Sequence, residues 1–208
     1  MSEWRARLEK GYQDFKSGDF LEQKALYETL GTHGQNPDIM LIACADSRVD
    51  PTDIFNAYPG EMFVARNVAN IVPPAGNDEA YHGTLAAIEY AVTVLEVDVI
   101  VILGHESCGG IAGCLAGLGE TGADGYVGSW VSILNDAKNK LIANNPNAEN
   151  LQFEMELEGI RQSIRNLMTY RFVKDVVETG KLKLQGAYFG IHSAELMLAD
   201  DDGQFIKV

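Results

Sequence analysis

The sequence predicts an α/β fold: a mostly parallel central β-sheet flanked by helices, preceded by an N-terminal helical arm. Three observations lead there. "DIMLIAC" and "VDVIVILGH" are short, continuous apolar runs, the pattern of strands covered on both faces. Between them, "DEAYHGTLAAIEYAVTVLE" places Leu85, Ile88, Ala91, Val92 and Leu95 on one helical face. Strand, helix, strand at this spacing reads as a right-handed parallel crossover.

The elements follow in order. Trp4, Leu8, Tyr12 and Phe15 recur near helical spacing and predict an amphipathic first helix. "GDFLEQKALYETLG" predicts a second, ended by Gly31. The strand "DIMLIAC" comes next, then a second strand "EMFVARN", the crossover helix and "VDVIVILGH". "CGGIAGCLAGL" starts another helix, and residues 126–144 and 150–180 supply more. A last strand, "LKLQGAYFGI", precedes a polar C-terminal turn, "ADDDGQ". With no repeat or linker in 208 residues, one domain is expected, made of an arm over 1–31 and a core over 32–208.

Composition narrows the function. A formal net charge of −14 argues against nucleic acid and anionic membranes as partners, since both repel it. "MSEWRARLEK" carries charges where a secretory signal needs an apolar stretch, and no run is long enough to span a bilayer. Three cysteines, an odd number, argue against a disulfide framework and for reduced thiols in a cytoplasmic setting.

Two of the strands end in unusual chemistry at the edge where parallel sheets collect ligands. The first ends at Cys44, followed by Asp46 and Arg48; the other runs through Gly104 into His105 and Cys108. If these strands are neighbours, Cys44, His105 and Cys108 converge. Two thiolates and an imidazole suit zinc, and three protein ligands leave its fourth position open. Cys108 falls at a helix N-terminus, which favours a thiolate, and Gly109 and Gly110 admit close approach. Cys114, six residues further on, turns away from Cys108 and reads as core. Taken singly, each residue has a plain structural explanation. Cys44 could be a small core residue, Asp46 and Arg48 a loop salt bridge, and His105 a turn residue.

Together, "CADSRVDP" and "GHESCGGI" resemble the β-class carbonic anhydrases, with their C-x-D-x-R and H-x-x-C-G-G segments. "PGEMFVARNVAN", "VPP", "AAIEYAV" and "GAYFGIHSAEL" extend the similarity over about residues 35–200. The resemblance implies reversible hydration of carbon dioxide by a zinc-bound hydroxide, with one zinc per chain on Cys44, His105 and Cys108. A zinc with two thiolates and one imidazole has a net charge near zero. It acidifies water less than a three-histidine site, so the protein has to assist. Asp46 is then the group that orients the attacking oxygen, and Arg48 holds it off the metal with a bidentate fork.

The family also has a closed form, with the aspartate on zinc as a metal ligand. Members of that kind carry a Trp shortly before the first cysteine, and this chain has none there, so an open site is expected. Arg66 matches their inhibitory-site arginine without its companion; it and Asn67 read here as loop braces. Gln35, Phe63 and Tyr90 match substrate-cleft residues of the open, plant-type members, and Gln35 with the Gly109 N–H would position substrate oxygens. The plainer alternatives are a turn residue ahead of Pro37 for Gln35 and core packing for the two aromatics.

By the same resemblance the cleft lies at a homodimer interface, with higher homo-oligomers possible and the N-terminal helices as clasps. His33, His82 and His192 are candidate proton shuttles, each with an ordinary surface or core role as the alternative. Relatives that hydrolyse carbon disulfide or carbonyl sulfide share the zinc triad. A purely structural zinc module would need neither Asp46 nor Arg48, and a thiol redox protein would want adjacent cysteines.

Overall fold

The computed structural model describes residues 2–76, 82–121 and 125–208, arranged in two compact units. The first ends at Asn36 and holds three helices, α1 (Glu3–Ser17), α2 (Asp19–Glu22) and α3 (Lys24–His33). The rings of Phe15, Phe20 and Tyr27 pack within 5.3–6.0 Å of one another and join these helices. Trp4, Leu8 and Tyr12 stand exposed on α1. The sequence places the helix end at Gly31, but α3 continues to His33 and stops at Gly34, whose φ of 83° is open to glycine. Gly31 is simply an interior glycine.

The second unit runs from Pro37 to Val208. Its elements are β1 (Ile39–Cys44), α4 (Pro51–Ile54), β2 (Met62–Asn67), α5 (Gly83–Thr93), β3 (Val99–His105), α6 (Gly109–Leu115), α7 (Gly125–Val131), α8 (Asn135–Asn144), α9 (Leu151–Leu167), α10 (Arg171–Glu178), β4 (Lys183–Phe189), β5 (Leu196–Ala199) and β6 (Phe205–Lys207). They build a six-stranded sheet in the order β2-β1-β3-β4-β5-β6, the first four strands parallel and the last two antiparallel.

Several boundaries differ from the sequence reading. The crossover helix ends at Thr93, because Glu96 takes a φ of 53° and turns the chain into β3. Its predicted start, residues 78–81, lies outside the described residues. Residues 150–180 are helical as expected, in two helices with a break over 168–170 that lets the Tyr170 hydroxyl donate to the Pro73 carbonyl at 2.9 Å. "ADDDGQ" is not a terminal turn but the bend of a β5–β6 hairpin. There Asp200 Oδ1 accepts from the Asp202 and Gln204 N–H groups.

The sheet buries both faces. Met40, Ile42, Ile100 and Ile102 pack under α5, α9 and α10 against Ile88, Val92, Leu157, Ile160 and Val173. Leu41, Ala43, Leu103 and Ala187 form the opposite face with Ile54, Phe55, Phe189 and Leu196. Beyond the carboxyl ends a third cluster gathers Cys44, Ala69, Ile71, Cys108, Ile111, Cys114 and Leu134. The candidate metal ligands thus sit in the floor of a core, where side chains have little room to wander.

Gly104 sits where β3 passes beneath α9. A Cβ there would stand 2.6 Å from Ile160 Cδ1, a carbon of a fully buried side chain. Gly104→Ala is therefore expected to lower unfolding stability by about 1–3 kcal/mol through overpacking. The check is the urea midpoint, which should fall at constant slope.

Candidate metal centre

Register brings the two chemical segments together. Ala43 pairs with Leu103 across β1 and β3, so Cys44 and His105 emerge side by side at the carboxyl edge. Cys108 caps α6 one turn later, after Ser107 takes a φ of 58°. The Cys44 and Cys108 sulfurs are 3.9 Å apart. Ligand atoms of Cys44, His105 and Cys108 all lie within 4.8 Å of one another, and all three residues are buried. Among the described residues this is the one such group of three that could hold a metal ion.

The surroundings fix each donor. His105 Nδ1 lies 2.9 Å from the Glu106 carbonyl, so its N–H is spent there and Nε2 presents a lone pair. That Nε2 is buried with no hydrogen-bond partner. The Ala69 N–H reaches Cys44 Sγ at 3.4 Å from a turn in which Ala69 has a φ of 61°. Gly110 allows that turn to lie against α6, since a Cβ there would be 2.9 Å from Ala69 Cβ.

The two sulfurs lie within hydrogen-bond reach of each other. Donation from Cys108, with the Ala69 N–H adding to it, lowers the Cys44 pKa in spite of burial. The neighbouring thiolate and burial push Cys108 up. A buried imidazole nitrogen without a partner and two sulfurs beside it make a donor set that a divalent cation satisfies. Zinc fits it by ligand type.

Asp46 stands at the rim. Arg48 donates to it three times, from its backbone N–H (2.9 Å) and Nε (2.9 Å) to Oδ1 and from Nη2 (2.7 Å) to Oδ2. The same Nη2 donates to the Ser107 carbonyl at 3.0 Å, tying the pair to the Cys108 loop. The Arg48 fork and backbone hold the Asp46 carboxyl well below the usual carboxylate range. Oδ2 is 3.9 Å from His105 Nε2, close to the ligand group but outside it. Behind the loop, Arg66 on β2 donates to the carbonyls of Cys44, Asp46 and Val49 and to Asp50 Oδ2. Asn67 clasps Ile71 through both its amide groups.

The remaining predicted residues fall elsewhere. Gly109 opens α6 next to Cys108, and a Cβ there would meet nothing within 4 Å. Phe63 and Tyr90 stack on each other at 5.8 Å. Phe63 pairs with Met40, four residues before Cys44, about 13 Å up the strand at its usual rise. Within one chain these two rings are therefore not part of the Cys44 cluster. Gln35 is exposed in the first unit. Cys114 is fully buried core. His33 is exposed on α3, and His82 stacks on Trp130 at 5.9 Å. His192 is held by Glu106 at its ring and its backbone N–H, both at 2.9 Å.

Residue-type reasoning misses Glu156. It is 3% exposed on α9, and its carboxylate accepts from the Cys108 N–H and the Tyr188 hydroxyl, each at 2.9 Å. The one signal in the sequence is its place in the apolar stripe of Phe153, Ile160 and Leu167, where a glutamate is out of character.

A buried two-sulfur, one-nitrogen centre at the carboxyl edge of a mostly parallel sheet marks a metal-dependent α/β enzyme. Comparison with known proteins narrows the class. Residues 39–196 match the family described as Carbonic anhydrase. The chain is 37% identical over 191 residues to Beta carbonic anhydrase 3 of Arabidopsis thaliana, covering 88% of this chain and 72% of that one. Its fold is similar to the β-carbonic anhydrase CcaA, with a TM-score of 0.89 and 34% identity, over all of this chain and 93% of the other. It also resembles one of two tetrameric β-carbonic anhydrases of Sordaria macrospora, with a TM-score of 0.78 and 26% identity, over all of this chain and 98% of that one.

The chain belongs to the β-carbonic anhydrases. It is an enzyme of that class, and the cofactor of the class is zinc.

Proposed function

We propose that this protein interconverts carbon dioxide and bicarbonate, with Cys44, His105 and Cys108 as the ligands of one zinc per chain and Asp46 and Arg48 as its catalytic pair. One observation carries the reading: a buried imidazole lone pair and two sulfurs meet beside a carboxylate that Arg48 holds at the rim. Zinc held there supplies the Lewis acidity that makes water a nucleophile near neutral pH.

The chain's own residues do the rest. Asp46 accepts the hydrogen of the incoming water and so aims an oxygen lone pair at the carbon of carbon dioxide. Arg48 occupies the Asp46 oxygens that could otherwise close on the metal, which supports the open arrangement. The Gly109 N–H, on a residue with space above it, serves the substrate oxygens. The reaction adds water to carbon dioxide, and one proton leaves to buffer as bicarbonate forms.

Phe63 and Tyr90 contribute to substrate binding only across a subunit boundary, because their own chain keeps them away from its cluster. A homodimer or larger homo-oligomer follows, with the exposed α1 stripe of Trp4, Leu8 and Tyr12 as a clasp. Three free, buried thiols suit a reducing compartment such as the cytoplasm. Among the described residues no helix is long and apolar enough to cross a membrane.

The test is elemental analysis together with stopped-flow carbon dioxide hydration on the purified chain. One zinc per chain and hydration well above the buffer background are expected. A fully metallated chain with no hydration would sink the activity, and a chain without zinc would sink the ligand set.

A further inference from the structure

We infer that Glu156 is a positioning residue of the metal centre, anchoring Cys108 so that its sulfur is already aimed when zinc arrives; this rests on the ligand reading above. Glu156 is buried on α9 and receives the Cys108 N–H at 2.9 Å, the Tyr188 hydroxyl at 2.9 Å and the Gln152 side-chain N–H at 2.6 Å. Gln152 also donates to the Cys108 carbonyl at 3.1 Å. Both peptide groups flanking the Cys108 Cα are thus tied to side chains one turn apart on the same helix.

Burying a carboxylate is costly unless donors compensate it, and here three donors converge on it. Packing alone does not call for a carboxylate there, since the large buried side chains of α9 (Met155, Leu157, Ile160 and Leu167) are apolar. The backbone next door does. Ser107, immediately before Cys108, has a φ of 58°, a conformation that a non-glycine residue keeps only where its surroundings impose it. The Glu156 bond to the Cys108 N–H holds the peptide that leaves Ser107. The Arg48 bond to the Ser107 carbonyl holds the same peptide from the opposite side. Between them, the loop from His105 to Cys108 has one shape, and the chelate is set before metal enters.

The experiment compares zinc retention against a competing chelator, and the absorption of cobalt-replaced protein, in wild type, Glu156→Gln, Gln152→Leu and Cys108→Ser. Glu156→Gln keeps the volume and removes the charge. It is expected to weaken zinc by about tenfold or more and to shift the sulfur-to-cobalt bands, with circular dichroism and urea midpoint as in wild type. A role confined to packing would instead lower the midpoint and leave the bands in place. Gln152→Leu, which removes the donor to the Cys108 carbonyl, is expected to weaken zinc as well, and it serves if Glu156→Gln does not fold. Wild-type zinc retention and cobalt bands in either folded variant overturn the inference, provided Cys108→Ser has lost its zinc. If Cys108→Ser keeps zinc and wild-type bands, the ligand reading fails and this inference fails with it.

Discussion

Cys108→Ser is expected to leave the chain folded, without zinc and without carbon dioxide hydration above background. Serine cannot supply an anionic ligand near neutral pH, whereas a thiol beside a cation does. Only two of the three donors then remain, and neither Asp46 nor Glu156 is placed to replace the sulfur, because donors already take their oxygens. The fold should survive: the swap changes one small side chain, and the two sheet-face clusters do not include Cys108. Elemental analysis after dialysis, with circular dichroism as the control for folding, checks it. Full zinc occupancy in the serine variant would show that Cys108 is not a ligand.

Asp46→Asn should separate metal binding from catalysis. Zinc content is expected to stay at one per chain, while hydration falls about 10²–10⁴-fold, the range associated with losing a positioned acid–base group. The asparagine keeps one oxygen for the Arg48 fork but turns an amide N–H toward the metal rim, where an acceptor is required. Because the folded-state pKa of Asp46 is depressed, its proton is gone well below neutral pH. Its contribution to stability is present above the unfolded carboxylate pKa and is lost as pH falls through the folded value. The wild-type pH–rate profile near neutrality should therefore contain no limb from Asp46. Wild-type turnover in the asparagine variant would remove Asp46 from the mechanism.

How much of this is legible in the sequence depends on how each part is encoded. β1 and β3 announce themselves as unbroken apolar runs, and the residues that end them carry the site. The convergence of Cys44, His105 and Cys108 then needs only that the two strands be neighbours. The β5–β6 hairpin cannot be read, because strands of four and three residues offer too few alternations to register as a pattern. Gly31 looks like a helix end because glycine usually is one; the left-handed turn that stops α3 lies three residues later. Glu156 is invisible for a different reason. Its partners are a backbone N–H 48 residues away and a tyrosine from β4, and no local spacing encodes such a meeting. Phe63 and Tyr90 match a cleft by residue type, yet only the register of β2 reveals that their own chain holds them far up the strand.

Arg66 bears on how firmly the rim of the metal centre is held. Its guanidinium makes four bonds to the Cys44–Asp50 segment, three to carbonyls and one to Asp50. A cation occupied in this way pins the segment that carries Cys44, Asp46 and Arg48, so the rim of the metal centre is braced from behind.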